Sequence, residues 1–101
     1  MEIKIYAEDR NLTIRLTGDL DHHGAKGLME AIDRAMEQNL PNKTVLDLGG
    51  LSFMDSSGIA VILRAKRRME ALQGTLSVTN IPRQAARVLQ TAGLSRYINL
   101  M

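Results

Sequence analysis

The sequence predicts a single α/β domain built on a mixed, mainly parallel sheet, with elements in the order ββαβαβαβ. Three observations carry this expectation. Residues 1–17 alternate apolar and polar side chains on either side of a turn. Beyond them, apolar residues recur at helical period in three stretches, with short apolar runs between them. Strands that alternate with helices imply crossover connections and parallel pairing.

The first alternation has Ile3 and Ile5 on one face and Lys4 and Tyr6 on the other. Leu12, Ile14 and Leu16 then alternate with Thr13, Arg15 and Thr17, and Glu8-Asp-Arg-Asn11 supplies the turn of a hairpin. Gly18-Asp-Leu-Asp-His-His23 reads as the first loop, with Asp21 as the N-cap of the helix that follows. In that helix Ala25, Leu28, Met29, Ile32, Ala35 and Met36 share one stripe. Asn39, Leu40 and Pro41 end it. The run 44–48 is a strand closed by Gly49 and Gly50, and a second helix spans about 57–73. Gly74 suits the left-handed residue after it. Strand 75–79 is followed by a helix opened by Pro82 and closed by Gly93, and 97–100 suits a last short strand.

A chain of 101 residues is one domain's length and can bury roughly two-thirds of its unfolded surface. Apolar residues at 45% and charged ones at 24% are globular proportions. With no cysteine, disulfides and thiolate metal sites are excluded. The start, Met-Glu-Ile-Lys-Ile-Tyr, reads as a strand without a leader's pattern, and no apolar run has the ~20 residues of a membrane helix. The expectation is a cytoplasmic protein with neither membrane nor direct nucleic-acid contact. The net charge is only +2 and the aromatics are Tyr6, Phe53 and Tyr97, unlike a basic, stacking nucleic-acid surface. The cluster Arg64, Lys66, Arg67 and Arg68 reads first as a solvated helix face, second as a surface for an acidic partner.

Chemistry concentrates where strand 44–48 hands over to its helix, at Leu51-Ser-Phe-Met-Asp-Ser-Ser-Gly58. The first N–H groups of a helix lack partners within it, and the dipole is positive there, so an anion is favoured. Sequence physics alone makes Ser56 an N-cap worth ~1 kcal/mol. Asp55 also reads as a cap, Ser52 and Ser57 as local hydrogen-bonding groups, and Gly58 as room for a close approach or for helix-to-sheet packing. The loops 18–23 and 49–56 both leave carboxyl ends of strands, where function gathers in such sheets. That places Asp19, Asp21 and His22 near Ser56.

Phe53-Met-Asp-Ser-Ser-Gly58 resembles the phosphorylation loop of the anti-sigma factor antagonists, in the STAS-domain family. Thr17-Gly-Asp-Leu-Asp-His-His23 resembles a second stretch of the sporulation, sigma-F branch. With the order of elements, the resemblance spans nearly the whole chain. It implies that Ser56 is the phosphorylated serine, and that Ser57 is not. It further implies a partner-contacting surface of Asp19, Asp21, His22, Met54, Asp55, Ser57 and Gly58, with Met54 exposed beside the loop. The implied partners are an anti-sigma factor that is also a serine kinase and a serine phosphatase of the metal-dependent class. ATP and ADP belong to the kinase, so this chain needs no cofactor. Members usually continue into a further C-terminal helix, whereas this chain stops at Met101, so one more open sheet face with an apolar patch is expected.

Two other readings remain at this stage. A structural or signalling module of the same fold would lack a phosphorylation cycle, and the intact Asp55-Ser56 argues against it. A small serine hydrolase would need G-x-S-x-G, and Met54 occupies the first glycine position. Adjacent His22 and His23 without further spaced ligands make a poor zinc pattern.

Overall fold

The computed structural model describes residues 1–100. Strands β1 (Glu2–Glu8) and β2 (Asn11–Leu20) form an antiparallel hairpin in which Ile5 opposes Ile14. Its two turn residues, Asp9 and Arg10, have φ of 49° and 63°, the left-handed pair that a tight hairpin turn requires. Then follow α1 (His22–Asn39), β3 (Lys43–Met54), α2 (Ser57–Ala71), β4 (Thr75–Thr79), α3 (Arg83–Thr91), a 3₁₀ turn (Leu94–Arg96) and β5 (Asn99–Leu100). The strands form one sheet in sequential order, with β1 antiparallel to β2 and every later pair parallel. The expected architecture is the observed one.

Alternation along the strands decides which face is covered. Leu12, Ile14 and Leu16 of β2, Leu46 and Leu48 of β3 and Val78 of β4 are buried. They join Leu28 and Ile32 of α1, Val61 and Ile62 of α2 and Leu89 of α3 in one core cluster. Each such side chain stabilises the fold by roughly 1.5–3 kcal/mol. The opposite sheet face carries Lys4, Tyr6, Thr13, Arg15, Asp47 and Thr79. It is mainly polar, so the apolar patch expected on an open sheet face is not found among the described residues. Asp47 there accepts from Gly49 N–H at 2.9 Å and Asn80 Nδ2 at 3.1 Å.

Several boundaries differ from expectation, each for a local reason. Strand β2 runs on to Leu20 and β3 continues through Gly49 and Gly50 to Met54, because the two pair as far as Leu20 opposite Met54. The glycines therefore do not end the strand. The register shifts between Arg15 and Thr17, and a Cβ on Gly50 would stand 2.6 Å from Thr17 Oγ1 and 2.7 Å from Leu16 O. Gly50 is the close approach that lets the two strands stay paired across that irregularity. After α2, Gln73 takes the left-handed conformation (φ 59°), not Gly74. Gly74 instead packs where a Cβ would lie 2.5 Å from Asn42 O. The last strand shrinks to two residues because the 3₁₀ turn consumes those before it.

The basic cluster is also redirected. Asp33 of α1 accepts from Arg64 Nη2 at 2.6 Å and Arg68 Nε at 3.1 Å, both on α2. Arg68 also reaches Glu37 at 3.6 Å, and Lys66 pairs with Glu70 at 3.1 Å. Arg67 alone of the cluster keeps the purely solvated role. Arg64 and Arg68 therefore join α1 to α2 instead of facing solvent unpaired.

Candidate functional site

Parallel pairing brings the carboxyl ends of β2 and β3 side by side. Asp19 lies opposite Phe53 and Leu20 opposite Met54. The pairing carries one residue further, since Asp55 N–H donates to Leu20 O at 3.1 Å. From this shared edge α1 and α2 both depart, so Asp19, Asp21 and His22 stand beside the Asp55–Ser57 turn, as the topology requires.

Asp21 caps α1, accepting from Gly24 N–H at 3.0 Å. That hydrogen bond holds its carboxyl below the usual carboxylate range, with burial opposing and His23 assisting. His22 and His23 are exposed, with ring centroids 6.1 Å apart. No group of three metal-ligating side chains forms among the described residues.

The capping of α2 falls to Asp55. Its Oδ1 accepts from Ser57 N–H at 2.7 Å, its carbonyl from Gly58 N–H at 3.0 Å, and Ser56 O from Ile59 N–H at 3.1 Å. The helix N-terminus therefore spends its first donors on its own chain and is less of an empty anion seat than the sequence implies. Ser56 occupies the N-cap position but makes no side-chain cap bond, and it is exposed. Its hydroxyl is left unengaged, with no histidine or carboxylate hydrogen-bonded to it among the described residues. A hydrolytic nucleophile would need such a base within reach.

Two residues expected on the partner surface lie inside, Met54 against expectation and Gly58 in the helix-to-sheet packing that was its other reading. Met54 is fully buried, at the end of β3 opposite the equally buried Leu20. Gly58 is buried directly above it, where a Cβ would meet Met54 Cγ at 2.6 Å and Sδ at 2.7 Å. Both serve helix-to-sheet packing and neither offers a side chain to a partner. Phe53, the residue before Met54, points outward instead and is 43% exposed.

Apolar grooves flank the first turn of α2 on both sides. One, of about 250 Å³, is lined by His22, Ala25, Lys26, Met29, Ser57 and Ala60. The other, of about 560 Å³, is lined by Ser56, Ile59, Arg87, Val88, Thr91 and Ala92. The α3 side chains were missed in the sequence, although Gln84, Arg87, Val88 and Thr91 fall at the spacing that shares one helix face.

Sheet order and loop geometry thus define a small α/β protein that displays the Ser56 hydroxyl beside paired strand ends, between two grooves. Residues 2–101 match the STAS domain, and the chain belongs to that family. It is 36% identical over 87 residues to the anti-sigma F factor antagonist of Lysinibacillus sphaericus, across 86% of this chain and 74% of that protein. The solved structure of the anti-sigma factor antagonist SpoIIAA in its unphosphorylated form is similar, with a TM-score of 0.86 at 30% identity, over 99% of this chain and 88% of that one. The Bacillus cell fate determinant SpoIIAA in its phosphorylated form gives 0.76 at 30% identity, over 99% and 91%.

Proposed function

We propose that this protein is an anti-sigma factor antagonist of the SpoIIAA type, switched off by phosphorylation of Ser56. The unphosphorylated form binds an anti-sigma factor that is also a serine kinase and so releases the sigma factor. The kinase, using its own ATP, phosphorylates Ser56 and breaks the contact, and a serine phosphatase of the metal-dependent class restores it. In this reading the chain is a regulatory substrate of cytoplasmic enzymes, and it carries no cofactor.

The observation that carries the reading is the unengaged Ser56 hydroxyl. Had Ser56 been the structural cap of α2, its oxygen would accept backbone N–H groups, and modifying it would damage the helix. Asp55 takes that work instead, which leaves Ser56 exposed and chemically available. A relative known in both unphosphorylated and phosphorylated forms supports the same conclusion. The contact surface we assign is Asp19, Asp21, His22, Asp55 and Ser57 with the two flanking grooves. A phosphate adds −1.5 to −2 charges there, with Arg87 and Lys26 the cations lining those grooves.

The test is incubation with the cognate anti-sigma factor kinase and ATP, followed by phosphopeptide mapping. Label should appear on Ser56 and vanish in Ser56→Ala. Label on Ser57 or Ser52 refutes the assignment.

A further inference from the structure

We propose that Gln84 of α3 is a positioning residue for the phosphorylation of Ser56, an inference that rests on the reading of Ser56 as the phosphoacceptor. Strand β3 is paired on both edges only at its start. Strand β4 accompanies it from Lys43 to Asp47, whereas β2 stays with it as far as Met54. Successive residues of a strand direct their main-chain groups to opposite edges. Asp55 N–H points to β2, where Leu20 O accepts it, so the N–H and C=O of Met54 point to the edge that β4 has left. Main-chain groups abandoned next to a core cost the free energy of a lost hydrogen bond.

Gln84 fills that edge. Its Oε1 accepts from Met54 N–H at 2.8 Å and its Nε2 donates to Met54 O at 2.8 Å. The carboxamide has the donor and acceptor of a peptide unit, so it acts as a single-residue continuation of the missing strand. It closes the chain two residues before Ser56 and fixes the direction in which the Asp55–Ser56 turn leaves the sheet. The same helix face then presents Arg87, Val88 and Thr91 to the groove that Ser56 lines. Phosphoryl transfer depends on placement of the attacking oxygen, and small misplacements lower rates steeply.

The variant is Gln84→Met, which keeps side-chain length and apolar stem and removes both hydrogen bonds. Ile98→Val, a core shortening beside Met69 and Gly74 at the opposite end of α2, serves as a control for destabilisation away from the site. With the cognate kinase and ATP, Gln84→Met should lower kcat for Ser56 by roughly ten- to a hundredfold with KM little changed. That split marks lost placement rather than lost binding. Hydrogen exchange of the Met54 amide should accelerate in the folded variant, and Ile98→Val should change neither quantity. Wild-type kinetics in Gln84→Met, or an equal loss in Ile98→Val, overturns the proposal and leaves the assignment of Ser56 standing. Absence of label on Ser56 in the wild-type protein overturns the functional reading, and the proposal falls with it.

Discussion

Phosphorylation of Ser56 should change binding far more than it changes the fold, and the two terms can be set against each other. An anion at a helix N-terminus gains about 0.3–1 kcal/mol from the dipole and from unpaired donors. Here Ser57, Gly58 and Ile59 N–H are already taken by the chain itself, and Asp55 stands adjacent as a like charge. The gain belongs at the low end and can be cancelled. For a domain of this size 1 kcal/mol corresponds to about 4–8 °C in Tm, so the two forms should melt within about 4 °C of each other. At an interface, a buried charge without a partner costs about 2–5 kcal/mol, which is roughly thirty- to several-thousandfold in Kd. Thermal melts of both forms beside calorimetric titration with the anti-sigma factor measure the two terms together. A Tm drop well beyond 8 °C, with backbone amide shifts spread across β4 and β5, would refute the reasoning and make the switch conformational.

Ser56→Ala should stay bound to the anti-sigma factor, and Ser56→Asp, with less charge and fewer acceptor oxygens, should weaken binding only in part; a titration of both variants checks this. Asp21→Ala removes the cap of α1, so it should fold with a Tm a few degrees lower and bind more weakly than that loss explains. Unchanged affinity in the folded variant rejects a contact role for Asp21. Gly58→Ala should cost about 1–3 kcal/mol by overpacking against Met54, less the ~1 kcal/mol that Ala gains in a helix. In a Met54→Ala background the same change should cost less, and a denaturation double-mutant cycle reads the coupling. Asp33 is held below its ordinary value of 3.8 by hydrogen bonding from Arg64, against burial, with help from Arg68. The folded form therefore binds fewer protons than the unfolded one, so the stability from this junction is present above about pH 4 and lost as pH falls through the lowered value. Asp33→Asn should flatten that part of the acid-unfolding curve, and an unaltered curve refutes the assignment.

Much of this was written in local patterns. Period-2 alternation gave the hairpin, the apolar stripe gave α1, and Asp21 was recognisable as a cap because its partner lies three residues on. The ends of β2 and β3 were not, because Gly49 and Gly50 punctuate a strand when read alone and permit close pairing when Thr17 lies opposite. Met54 was misplaced for the same reason, since a strand that continues through 49–54 turns that side chain into the core. Within the site, local physics read Ser56 as a capping side chain, which it is not, and only the resemblance of the Asp-Ser-Ser-Gly segment singled it out as the proposed phosphoacceptor. Gln84 and Arg87 were not singled out, because nothing local to α3 announces that β4 stops short and leaves Met54 to be paired. Arg64 and Arg68 looked solvated for want of any sign that Asp33 stands across from them.

The Asp33 junction between α1 and α2 has a kinetic consequence. These helices begin at the two strand ends of the proposed contact surface, and the Asp33 ion pairs join them further along their length. A partner therefore meets a surface already assembled, and little ordering is left to be done during encounter. Association should proceed as the docking of preformed shapes, governed by diffusion, orientation and ionic strength. Differences among partners should then appear chiefly in how slowly they leave.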